Sequence, residues 1–198
     1  MKNAFVSAAL GLALVFGSAT SEAIMLSINP ASQEVSVGDT IGFDIVISGL
    51  GNGAAPSLGA YDFNVTFDPF IFIFDTVTFG TDLDMFGLGT LQIIDTPDAG
   101  TVNLFELSLD LADDLNDFQP DTFTLATLSF NTLADGDSLI DISNIILGDA
   151  DGKSLEATTV VGASVTVTGQ VNPVPEPASA ALLVFGLLGL LLTRRAVR

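Results

Sequence analysis

The chain has 198 residues, with 24 acidic residues against five Lys and Arg and neither His nor Cys. Ser-His-Asp and Cys-His nucleophilic machinery is therefore impossible, zinc sites built on His or Cys are excluded, and a net charge of −19 repels nucleic acid. The length suits one ordinary domain plus appendages.

The first appendage is N-terminal. Lys2 is the only charge ahead of an almost wholly apolar run from Ala4 to Phe16, and the small residues of GSATSEA follow. A charged start, an apolar run and small-x-small positions read as a signal peptide over residues 1–23, cut after Ala23 or, as a second option, after Ala19. Export makes the lack of Cys meaningful, because disulfides are permitted outside and none can form. The fold must stand on its apolar core, and residues 24–172 are long enough to build one. There Lys153 alone stands against 22 acidic residues, a formal charge of −21 that attracts divalent cations or cationic partners.

Period-2 alternation dominates this middle region. TIGFDIVIS places Ile41, Phe43, Ile45 and Ile47 on one face, and AYDFNVTFD does the same for Tyr61, Phe63, Val65 and Phe67. DSLIDISNII groups Ile140, Ile142 and Ile146, and VVGASVTVT groups Val161, Ala163, Val165 and Val167. TVNLFELSL and TFTLATLSF change phase midway, which predicts a bulge or a change of sheet in each. Turn signals such as VGDT, GLGNG, PDAG, ADGDS and GDADG punctuate the runs, and DLADDLNDFQPD reads as an acidic loop. The pattern predicts an all-β antiparallel sandwich.

Three segments here resemble a known family. LSINPASQEVSVGDTIGFDIVIS, LGAYDFNVTFDPFIFIFDTVTFG and TLATLSFNTLADGDSLIDISNIILGDADGKSLEATTVVGASVTV are similar to the opening, the following hairpin and the C-terminal half of cohesin domains. The resemblance implies a jelly-roll β-sandwich of about nine strands, a fold shared with some carbohydrate-binding modules. It also implies a dockerin partner bound through one sheet face. No contact residue carries over, because the family has no fixed motif for them.

Candidate sites are few. GDADGKSLE offers Asp149, Asp151 and Glu156 as calcium ligands, although position 12 counted from Asp149 is Val160, so the EF-hand pattern fails. Asp110, Asp113, Asp114 and Asp117 read as a solvated loop or a weak cation site. Phe70, Phe72 and Phe74 read as core, with exposure on one face as the other option. Asn64-Val65-Thr66 matches a glycosylation sequon in mid-strand. There is no Trp, and Tyr61 alternates inward, so stacking platforms for sugars are scarce. Catalysis by paired carboxylates finds no support, since most acids fall on outer faces or in turns. No enzyme and no resident cofactor is expected, calcium apart.

The chain closes on Pro175-Glu176-Pro177, an apolar run from Ala178 to Leu192, and Arg194, Arg195 and Arg198. The prolines hold their segment extended. As a helix the apolar run covers about 22 Å, short of a bilayer core of about 30 Å, which suits a segment recognised and then removed. These parts closely resemble the PEP-CTERM sorting signal of Gram-negative bacteria over residues 174–198. The resemblance implies processing by the membrane peptidase exosortase, with the segment in the membrane beforehand, and delivery to the outer surface or extracellular matrix, often beside exopolysaccharide; a plain C-terminal membrane anchor is the alternative. The expected organisation is a signal peptide over 1–23, a sandwich over 24–172 and a sorting signal over 173–198. The expected role is a surface or matrix protein that binds another exported protein or a matrix polymer, with exopolysaccharide binding as the alternative.

Overall fold

A computed structural model describes residues 23–157 and 159–169. The signal-peptide residues 1–22 and the whole of the expected sorting signal, residues 173–198, lie outside the described residues. The described chain forms twelve strands and one helix: β1 (Met25–Asn29), β2 (Ser32–Ser36), β3 (Thr40–Ser48), β4 (Leu58–Thr66), β5 (Phe72–Phe79), β6 (Thr90–Asp95), β7 (Thr101–Ser108), α1 (Ala112–Phe118), β8 (Thr122–Thr132), β9 (Gly136–Asp149), β10 (Ser154–Leu155), β11 (Thr159–Val161) and β12 (Ala163–Thr168). They build two sheets, ordered β11-β1-β3-β8-β5 and β2-β12-β9-β4-β7-β6, with β10 added to β9. None of the described helices is long and apolar enough to cross a membrane.

The expected β-sandwich is present, with more strands than nine and with two parallel pairings among the antiparallel ones. Both parallel pairs join the start of the domain to its end: β1 with β11, and β2 with β12. Each partner changes sheet at one point. Pro30 has no N–H to give a ladder, so the chain leaves the smaller sheet there and re-enters the larger one at Ser32. Gly162 does the same on the returning strand, and the two crossings are tied by Ser164 N donating to Ala31 O at 3.0 Å.

That crossing corrects one expected face. Ala163, Val165 and Val167 are buried, but Val161 is 40% exposed because it belongs to β11 in the other sheet. Ile146 is likewise 66% exposed, and Leu147 is buried instead. Asn144 takes the left-handed conformation at φ 53°, and the β4–β9 register slips beside it, which turns the next residues over.

The two expected phase changes have different outcomes. In β8 the pairing with β3 slips at Ile45/Val46, so Leu125 and Ala126 are both buried, as a bulge requires. In β7 the pairing runs without a slip from Thr101 to Leu107. Its inward series is Val102, Leu104 and Glu106, and the apparent phase change arose because a carboxylate occupies a core position.

The core fills the space between the sheets. Ile41, Phe43, Ile45, Ile47, Tyr61, Phe63 and Val65 are all buried there, as alternation predicts. Phe130 is a shared contact, with the rings of Phe43, Phe67, Phe72 and Phe74 between 4.9 and 6.4 Å away. Phe72 is buried and Phe74 half-buried, whereas Phe70 stands 83% exposed in the Asp68–Pro69 turn. The segment read as an acidic loop contains α1, whose Leu115 is buried while Asp113 and Asp117 are exposed and Asp114 half-buried. Asp110, just before it, is buried and not solvated: its carboxylate accepts from the backbone N–H groups of Phe86 and Leu88.

Candidate protein-binding face

Strand alternation divides the larger sheet into a core face and an outer face. On β4, Tyr61, Phe63 and Val65 point inward, so Ala60, Asp62, Asn64 and Thr66 point outward. On β7 the outward residues are Asn103, Phe105 and Leu107. The ladders set these in rows. Ile146, Asp62, Phe105 and Ile93 lie opposite one another across β9, β4, β7 and β6, and Gly148, Ala60, Leu107 and Leu91 form the next row.

The result is an apolar outer surface. Leu91, Ile93 and Ile146 are exposed to between 49% and 66%, and Leu107 to 36%. Between Ile146 and Phe105 a shallow cleft of about 350 Å³ opens over Ala60 and Asp62, with Gly152, Lys153 and Ser154 at its rim. The next row is polar: Asn103 Nδ2 donates to Asp62 Oδ1 at 2.7 Å and to Asn64 Oδ1 at 2.9 Å. The sequon residue Asn64 is thus held within the ladder.

The outer face of the smaller sheet is different. Thr40, Asp44 and Ser48 on β3, with Thr124, Thr127, Ser129 and Asn131 on β8, give its centre short polar side chains, with half-buried Val46 among them and exposed Ile73 and Val161 on the flanking strands. Thr40 Oγ1 donates to Asn131 Oδ1, and Thr127 Oγ1 to Asp44 Oδ1. Among the described residues, the larger sheet carries the broader apolar outer surface.

A buried polar network lies beneath the apolar rows. The Glu106 carboxylate, 1% exposed, accepts from Tyr61 Oη at 3.0 Å and from Gln92 Nε2 at 2.7 Å. Tyr61 Oη also lies 3.2 Å from Leu125 O in the opposite sheet. Burial first, then the negative charge of Glu106 and its hydrogen bond, push the Tyr61 phenol far above its ordinary range. Glu106 thus links the outermost strand β6, through Gln92, to the core.

The candidate calcium ligands are engaged locally. Asp149 Oδ1 accepts from Lys153 N at 2.7 Å and closes the turn, and Lys153 Nζ lies 3.4 Å from Asp151 Oδ2 in an exposed pair. Glu156 lies beyond β10. Among the described residues, no group of three or more acidic side chains is gathered closely enough to hold a metal ion.

Sequence reasoning missed most of the apolar face. The phase change read in TVNLFELSL turns Phe105 and Leu107 to the side of Val102 and Leu104, DSLIDISNII groups Ile146 with Ile140 and Ile142, and TLQIID, with Ile93 and Ile94 adjacent, has no alternation to orient. The available signal was Glu106: an acid in phase with Val102 and Leu104 leaves Phe105 and Leu107 on the outer side.

No protein-family model matches the chain, and no curated protein matches it. Solved structures do. The solution structure of CaCohA2 from Clostridium acetobutylicum is 21% identical with a TM-score of 0.57, over 75% of this chain and 92% of that one. The sixth cohesin of scaffoldin B from Acetivibrio cellulolyticus, solved in complex with a Cel5 dockerin mutant, is 18% identical with a TM-score of 0.58, over 74% and 99%. A non-cellulosomal cohesin from the archaeon Archaeoglobus fulgidus is 14% identical with a TM-score of 0.56, over 75% and 94%. Identity at this level speaks for architecture alone, and the architecture of this chain is the cohesin-like β-sandwich.

Proposed function

We propose that this is a non-enzymatic binding module of an exported surface or matrix protein. In this reading it holds another exported protein, of dockerin-like character, against the outer face of the β9-β4-β7-β6 sheet. One observation carries the reading: Leu91, Ile93, Leu107 and Ile146 are presented to water on one sheet face, while β3 and β8 make the centre of the opposite sheet's outer face mostly polar. Exposed apolar area of this kind, rimmed by polar groups, marks interaction surfaces. Two further facts support it. Cohesins with this fold have been solved in complex with dockerins, and the chain has no His, Cys or Trp with which to build a hydrolytic cleft.

The same proposal extends to delivery. The leader over 1–23 directs export, and exosortase recognises Pro175-Glu176-Pro177 with the apolar run and Arg194, Arg195 and Arg198, delivering the protein to the cell envelope or matrix of a Gram-negative bacterium. Mass spectrometry of protein collected from the cell surface tests this. A C-terminus upstream of the apolar run supports it, and an intact Arg198 overturns processing.

Capture from the secreted fraction, run beside a glycan array, tests the binding role. Retention of one protein by the parent but not by I93D or L107D, with a blank array, supports protein binding. Specific glycan retention with no captured protein favours the exopolysaccharide reading.

A further inference from the structure

A second apolar surface lies at the end of the sandwich, on the β5–β6 connection, the β7–α1 connection and α1. Phe86 and Leu88 are 48% and 56% exposed, Leu109 and Leu111 55% and 63%, and Phe118 on α1 60%. The Phe86 and Phe118 rings meet edge to face at 5.5 Å, leaving much of both in water.

This exposure is built, not a product of looseness. The buried Asp110 carboxylate accepts from Phe86 N at 3.1 Å and Leu88 N at 3.4 Å. Asp84 Oδ1 accepts from Gly89 N at 2.7 Å, and Leu109 N donates to Gly89 O at 3.1 Å. Gln119, fully buried after α1, donates to Leu58 O and Asp82 O and accepts from Leu58 N. Asp110, Asp84 and Gln119 thus fix the backbone around these exposed apolar side chains. A surface pre-organised in this way loses little conformational freedom on binding.

The same connections set the chemistry of the occupant. The N–H groups of Phe86, Leu88 and Gly89 are already satisfied, so strand addition has no donors to use there and recognition falls to side chains. Asp84 lies beside Gly89, and Asp113, Asp114 and Asp117 stand on α1. Residues 80–121 contain no Lys or Arg. An anionic bilayer would be repelled, whereas a cation beside the carboxylates could also stack on an exposed Phe ring.

We propose that this end of the sandwich is a second docking surface, for an amphipathic helix of another protein that carries Lys or Arg beside its apolar stripe. The surface adjoins the sheet face at Leu107 and Leu109 but centres on Phe86 and Phe118, and it does not depend on the role given to that face.

The test uses the full chain and a labelled synthetic 18-residue helix of Leu and Lys, with the Leu residues at i, i+3, i+4 and i+7. A scrambled peptide of identical composition is the control. The ordered helix is expected to bind more tightly than the scrambled one. F86S and F118S should each weaken it by at least about tenfold. D113N/D114N/D117N should weaken it and flatten its salt dependence, and I93D on the sheet face should leave it unchanged. Thermal melts confirm that each variant is folded, which exposed positions should permit. Equal binding of the scrambled peptide would show charge attraction alone and overturn the proposal. So would loss of binding in I93D with F86S and F118S unaffected, a result that would leave the sheet face standing as the protein-binding surface.

Discussion

Tyr61 and Glu106 meet inside the sandwich, the phenol oxygen 3.0 Å from a carboxylate oxygen, with both residues 1% exposed. The pair joins two neighbouring strands and reaches the opposite sheet through Leu125 O. Without Glu106 the buried phenol keeps only its longer 3.2 Å approach to Leu125 O, and a buried donor with a poorer partner is costly. E106A is therefore expected to lower stability by roughly 2–4 kcal/mol, because Tyr61 and Gln92 both lose their shared acceptor. E106Q keeps an acceptor and should stay within about 1 kcal/mol of the parent. Urea unfolding midpoints decide it, and equal losses in the two variants would count against the network.

Gln119 satisfies three backbone groups with one side chain: Leu58 N at 2.6 Å, Leu58 O at 3.0 Å and Asp82 O at 3.1 Å. Q119A is expected to cost roughly 3 kcal/mol, and more than truncation of exposed Asp117 or Phe118 nearby. Denaturant titration of the three variants side by side checks the order.

Gly162 is where the returning chain changes sheet. A Cβ placed there would sit 2.7 Å from Ile140 O and 3.2 Å from Asp141 Oδ1. Backbone must move to admit it, so G162A should cost roughly 1–3 kcal/mol. Gly42, in mid-strand on the polar face, has nothing nearer than Leu128 O at 3.8 Å, and G42A should be neutral or slightly stabilising. A thermal melt of each variant separates the two cases.

Asp82 supplies a pH dependence. Burial raises its pKa above 3.8, against a weaker lowering by a backbone hydrogen bond. The folded state then holds the proton more tightly than the unfolded state. Stability contributed by this group is greatest at low pH and falls as pH rises from near 3.8 through the raised native value. D82N should be more stable than the parent at neutral pH, and the difference should vanish in acid below 3.8. Melting temperatures across that range test the sign.

The strands that alternate cleanly were legible. β3 and β4 put Ile41 to Ile47 and Tyr61 to Val65 inside, as their period requires, because one buried face imposes a period of two. Legibility failed where a local event turned the chain over. Asn144 at positive φ flips Ile146 outward, and Gly162 sends Val161 to a different sheet from Val165. It failed again where a polar residue took a core position: Glu106 breaks the apolar count of β7 without breaking its geometry. The helix Ala112–Phe118 was hidden because a run rich in aspartate looks like solvent-facing loop. Its single buried Leu115 is too little periodicity to read.

Composition and order alone determined the absence of histidine and thiol chemistry, the acidic surface, the β-rich character and the resemblance of both the middle and the tail to known patterns. These are properties of residue type and spacing, which need no partner in space. Tertiary structure decided which apolar residues are left outside. Leu107, Ile146, Phe86 and Phe118 are as hydrophobic as their buried neighbours, and only the packing of two sheets, with the polar side chains of Glu106, Asp110 and Gln119 held between elements, sets them facing water.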